Sequence, residues 1–170
     1  MTTGNYNEAL TELTALGEYK DSATQINECN YQIALAKMTT GNYTEALTEL
    51  TALGEHKDSA TQINECNYQI ALAEMTAGNY NEAITTFTSL GEYKDSQEQI
   101  KECNYKLAVA KMNAGNYDEA ITAFTDLGEY KDSNDRISEC NHLLYLKIID
   151  EEEKYKEIEE VESDFRFIYI

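Results

Sequence analysis

Between Tyr43 and Leu53 the apolar residues fall at Tyr43, Ala46, Leu47, Leu50 and Leu53, the spacing that lines one face of an α-helix. Gly54 follows and is expected to stop the helix, because glycine takes a left-handed backbone at little cost. Asn42 precedes it as an N-cap, with Glu45 completing a capping-box-like pair; Asn5/Glu8, Asn79/Glu82 and Asn116/Glu119 repeat the device. A second helix is expected after Lys57-Asp58-Ser59, running to about Thr76, with Ser59 as its cap and Gln62 at the capping-box position. Ser22/Gln25 and Ser96/Gln99 stand in the same relation. This helix carries two apolar seams: Ile63, Cys66, Ile70 and Ala73 on one side, and Tyr68, Leu72 and Met75 on another. Two such faces suit a helix packed between neighbours; the alternative is that the second face is partly open.

The pattern recurs. Met38–Glu74 copies Met1–Lys37, with changes only at Asn7/Thr44, Tyr19/His56 and Lys37/Glu74, and looser copies begin at Met75 and Met112, a period of 37 residues. All eight glycines occupy two positions of this unit: Gly4, Gly41, Gly78 and Gly115, then Gly17, Gly54, Gly91 and Gly128. Each unit is therefore expected to be a pair of helices, and units of this length stack on one another rather than fold alone.

The segments Gly41–Leu50, Gly78–Phe87 and Gly115–Phe124 read Gly-Asn-Tyr-x-Glu-Ala-Ile/Leu with an apolar residue three beyond. This resembles the turn and second helix (helix B) of the tetratricopeptide repeat, with Ala46, Ala83 and Ala120 as its small helix-B residues and Ala34, Ala71 and Ala108 as those of helix A. The resemblance covers about residues 1–149. The unit is longer than the usual ~34 residues. Lys-Asp-Ser stands in the region of the family's closing proline, and Asn30, Asn67, Asn104 and Asn141 replace its helix-A tryptophan. The resemblance implies an all-α, right-handed α-solenoid of antiparallel helix pairs with roughly 8 helices. It also implies a non-catalytic protein–protein interaction scaffold that binds a peptide or helix along the concave helix-A wall.

Carried over by the resemblance, the groove positions are Glu28, Tyr31, Leu35 and Met38, then Glu65, Tyr68, Leu72 and Met75. Glu102, Tyr105, Val109 and Met112 follow, then Glu139, His142, Leu146 and Ile149. Tyrosine and methionine offer adaptable contact area, and regular glutamates favour Lys or Arg on a partner. The family's Lys/Asn/Arg clamp on a C-terminal carboxylate is absent, so chaperone-tail binding is not expected. The competing reading is that Tyr31 and Leu35 simply pack on the adjacent repeat.

Charge narrows the partner. The 170 residues hold 32 acidic and 13 basic side chains, a net charge of −19. That field repels phosphate backbones and anionic lipid surfaces and favours a basic or apolar partner. It also suits an alternative function, an acidic inhibitor mimicking nucleic acid. No apolar run approaches the roughly 20 residues of a membrane span, and no signal-peptide pattern opens the chain. A soluble, cytoplasmic protein is the expectation. Cys29, Cys66, Cys103 and Cys140 recur at one phase. Stacked helices lie about 8–10 Å apart, whereas a disulfide needs Cα atoms within about 7 Å and zinc needs four ligands around one point. The cysteines are expected as small buried residues in a reducing compartment. His56 and His142 stand where other units have tyrosine, no phosphate-binding loop or dinucleotide motif is present, and the carboxylates are spread along the chain. No enzyme activity, cofactor or metal is expected.

The two ends differ from the middle. The chain opens on Met1-Thr-Thr-Gly-Asn-Tyr, inside a unit, so Leu10, Leu13 and Leu16 are expected to lack a neighbour and to favour self-association, with a self-assembling repeat module as a further alternative. After Leu146 no glycine interrupts Ile148-Ile149-Asp150-Glu151, so the helix either runs on or turns without one. Tyr155 and Ile158 roughly take the places of the helix-B tyrosine and alanine, one residue out of phase. Residues 150–170 are expected to form an acidic helix and an apolar cap, the Phe165–Ile170 stretch having strand propensity.

Overall fold

In a computed structural model, the backbone is described for residues 3–168 and the side chains for residues 5–160. Among the described residues eight helices follow one another: α1 (Thr3–Leu16), α2 (Ser22–Thr39), α3 (Tyr43–Leu53), α4 (Ser59–Ala77), α5 (Tyr80–Leu90), α6 (Ser96–Asn113), α7 (Tyr117–Leu127) and α8 (Ser133–Ile168). No strand occurs among the described residues. The chain divides into two compact units, Met1–Ile100 and Lys101–Ile170.

In the first unit each helix packs on the next, α1 on α2 and so on to α5. Turns of a few residues make neighbours antiparallel, so the packing order is that of an α-solenoid. The α2–α4 core is Tyr31, Ala34, Ala46, Leu50 and Cys66, with Leu35, Met38, Tyr43, Leu47, Leu53 and Ile63 packed around it. Ala34 and Ala46 are completely buried, and alanine on both helices lets the backbones approach closely. Ala73, expected in the Cys66 seam, is exposed instead. In the second unit the core repeats with Tyr105, Ala108 and Met112 from α6, Ala120 and Phe124 from α7, and Cys140 from α8.

The turns account for the helix limits. Gly78 ends α4 in the left-handed conformation (φ 87°, ψ 5°), and the Asn79 N–H donates to the Glu74 carbonyl at 2.9 Å, closing the last turn. The Lys-Asp-Ser loop works differently from the expected capping box. Ser59 is the first residue inside α4; its hydroxyl donates back to the His56 carbonyl at 2.6 Å, and Lys57 takes a left-handed φ of 52°. Asp58 precedes the helix, and its carboxylate accepts from Gln62 Nε2 at 2.9 Å. Ser22, Ser96 and Ser133 are buried and make the same backward bond. The capping expected of Asn42, Asn79 and Asn116 is also corrected: none makes a side-chain cap bond, while Asn5 lies inside α1.

Helix α8 is one uninterrupted helix through Asp150, because no glycine or proline stops it. Tyr155 and Ile158 therefore lie on the same helix as Cys140, not on a new helix B. Residues 165–168 are helical rather than extended. The side chains expected to form the cap, at 165–170, lie outside the described residues.

Candidate functional site

Of the residues proposed to line a groove, the tyrosines are core residues. Tyr31, Tyr68 and Tyr105 are only 5%, 7% and 8% exposed. Each hydroxyl donates to an aspartate in the loop that follows the next helix: Tyr31 to Asp58, Tyr68 to Asp95 and Tyr105 to Asp132. Their rings stand edge-on to neighbours, Tyr68 against Phe87 at 5.7 Å and Tyr93 at 6.1 Å, and Tyr105 against Phe124 at 5.8 Å and Tyr130 at 6.1 Å. For Tyr31 the packing alternative is what the structure displays, since its ring sits among Ala34, Ala46 and Leu50.

The glutamates are also engaged internally. Glu28 pairs with Lys57 at 2.5 Å, Glu65 with Lys94 at 2.5 Å, and Glu102 with Lys131. Tyr93 donates to Glu65 at 2.8 Å and Tyr130 to Glu102 at 2.9 Å; in the first copy His56 takes this place, its Nε2 3.5 Å from Glu28. Each lysine also lies over the buried ring, Lys94 Nζ 4.7 Å from the Tyr68 centroid. Tyrosine, glutamate, lysine and aspartate thus form one latch per repeat, joining helix A to the next loop.

The latch sets ionisation. The Tyr68 hydroxyl, followed by Gln99, holds the Asp95 carboxyl below its ordinary value, and Tyr31 with Gln62 does the same for Asp58. Burial first, then the facing aspartate, pushes Tyr31 and Tyr68 up to about 12. Burial and Glu65 do the same for Tyr93, also to about 12. A depressed carboxyl contributes stability that is present above its unfolded value and lost as pH falls through its folded value. A raised phenol contributes stability that is present below about pH 10 and lost as pH rises through about 12. An alkaline titration followed by phenolate absorbance and helix circular dichroism is therefore expected to show two steps. The later step is that of the buried set, Tyr31, Tyr68 and Tyr93, which ionises together with loss of helix. One phenolate step, with helix intact throughout, would refute the latch.

Except for Met112, a core residue, the remaining candidates are more accessible. Glu28, Leu35, Met38, Glu65, Leu72, Met75, Glu102 and Val109 are half-buried, Met112 is 7% exposed, and His142 and Leu146 are exposed. Leu72 lines an open, mainly apolar groove with Tyr43, Gln69, Ala73, Thr76 and Ala77, between the α2–α3 turn and the last turns of α4. The structure does not gather the other candidates into one pocket with it. Two clefts of mixed polarity went unanticipated. One brings Asn64 and Asn67 of α4 to Thr85, Thr86 and Ser89 of α5; the other brings Asn104 and Lys111 of α6 to Asp126 of α7. Their signal was the asparagine standing in place of a tryptophan.

The cysteines sit in the core, where burial pushes the Cys66, Cys103 and Cys140 thiols up, away from thiolate chemistry. Among the described residues no group of three His, Cys, Asp or Glu is placed to hold a metal ion, and no helix is long and apolar enough to cross a membrane.

Residues 102–133 match the family model described as Tetratricopeptide repeat. The matched segment takes in most of α6, all of α7 and the Lys-Asp-Ser loop leading into α8. No curated protein and no solved structure matches the chain. The match is to this segment, and the helices described in each unit fit a helical repeat; tetratricopeptide repeats generally mediate protein interactions and are typically non-enzymatic.

Proposed function

We propose that the chain is a non-catalytic interaction scaffold and that its helix-A face takes a basic, partly apolar peptide segment of a partner protein. The observation that carries this reading is the groove beside Leu72: it is mainly apolar, open and lined by no charged residue. An accessible apolar groove on an acidic, repeat-built surface suits a ligand with apolar side chains in the groove and Lys or Arg around them. The surplus of 32 acidic over 13 basic residues supplies the complementary field, although Glu28, Glu65 and Glu102 are partly neutralised by their lysines.

Tyr68 is a poor probe of this surface because its loss disturbs the core. Leu72→Ser is the better one. With a fluorescein-labelled Lys/Leu peptide, Leu72→Ser is expected to weaken binding about tenfold, the equivalent of losing part of one buried leucine contact. Its melting temperature should stay within a few degrees of the parent. Unchanged affinity in a folded Leu72→Ser variant rejects the groove.

A further inference from the structure

Helix α8 has 36 residues and α7 has 11, which is about 54 Å of helix lying beside about 17 Å. The face that α8 turns toward α7 carries Ile137, Cys140 and Leu143. Continued at helical spacing, the same side of α8 carries Leu144, Ile148, Tyr155 and Ile158. Among the described residues nothing covers it here: Ile148 is 47%, Tyr155 70% and Ile158 55% exposed. Exposed Glu151 and Glu152 occupy the turn between Ile148 and Tyr155 and divide the apolar side into two patches, and exposed Glu159 borders the second. Residues 145–160 hold seven carboxylates and three lysines, and Lys154 is bonded to Asp150 at 2.6 Å.

We infer that this overhanging stretch of α8 is a second docking surface, for a basic amphipathic helix of a partner protein. The charge selects the occupant. A second copy laid along the stripe brings carboxylates against carboxylates, and an anionic membrane is repelled likewise. A helix with Leu or Ile on one face and Lys or Arg on its borders satisfies both the stripe and its acidic rim. Tyr145 excludes a helix docked as α7 docks on α6. It occupies the position filled by Ala34, Ala71 and Ala108, each completely buried, yet is itself 61% exposed. A bulky ring there prevents the close approach that alanine permits, so the ligand lies along Ile148–Ile158 rather than extending the stack.

The test uses the full chain and a photo-crosslinking Lys/Leu amphipathic peptide of about 18 residues, long enough to form a helix on contact. The crosslinks are expected within residues 145–160, and Tyr155→Ser combined with Ile158→Ser is expected to weaken that binding at least about tenfold. Helix content and melting temperature should be unchanged, since both side chains are exposed. Crosslinks confined to the neighbourhood of Leu72 overturn this site while leaving the groove reading standing. Unchanged crosslinking at 145–160 in the double variant also overturns it. A concentration-dependent dimer, seen by sedimentation of the protein alone and dispersed by the double variant, replaces the basic helix with a second copy.

Discussion

Replacing Tyr68 with alanine is expected to destabilise the protein by about 3–5 kcal/mol, and replacing it with phenylalanine by about 1–3 kcal/mol. The larger figure reflects an aromatic ring removed from between Phe87, Tyr93 and the Lys94 side chain, at a site only 7% exposed. The smaller isolates the hydroxyl, whose loss leaves Asp95 with Gln99 as its remaining side-chain donor. Urea denaturation of the two variants checks both. If Tyr68→Phe matches the parent midpoint, the tyrosine–aspartate bond does not stabilise the fold and the latch is only packing. The pair also separates stability from recognition, since neither change alters an exposed apolar contact.

The second large effect is expected at Ala108. It is completely buried in a core with Tyr105, Met112, Ala120 and Phe124. Ala108→Tyr forces a ring between α6 and α7, and overpacking of this kind costs about 3 kcal/mol or more when the backbones cannot separate. The equivalent position in α8 already holds Tyr145, so Tyr145→Ala is expected to change stability by less than about 0.5 kcal/mol. Chemical denaturation of the two variants gives opposite outcomes for swaps at equivalent positions. An Ala108→Tyr variant with an unchanged midpoint would show that close helix approach is not required there.

The helices were legible because their apolar residues recur with helical spacing and glycines punctuate them; α3 runs from Tyr43 to Leu53 as the spacing predicts. Capping was not, because one residue decides it. Ser59 and Asp58 are both good capping residues, and the hydroxyl is drawn to the carbonyl three residues back, an option that spacing does not reveal. Which of the two readings holds for the tyrosines was not legible for a related reason. Periodicity places Tyr68 on a second apolar face, but whether that face is covered depends on Asp95 and Phe87, which arrive from later segments. Leu72, one turn further along α4, has no such partner and borders open space. The α8 stripe was hidden because Tyr155 and Ile158 look like a degenerate new repeat until the helix is seen to continue past Asp150.

The latches also bear on how the chain reaches its native state. Tyr31 meets Asp58 and Tyr68 meets Asp95 across 27 positions, and Tyr93 meets Glu65 across 28. None of these closures spans the whole chain, which keeps contact order low and favours rapid folding. Assembly can begin at any one hairpin and spread to its neighbours, and mild denaturant should release protection from hydrogen exchange progressively, hairpin by hairpin, before the best-buried helices open.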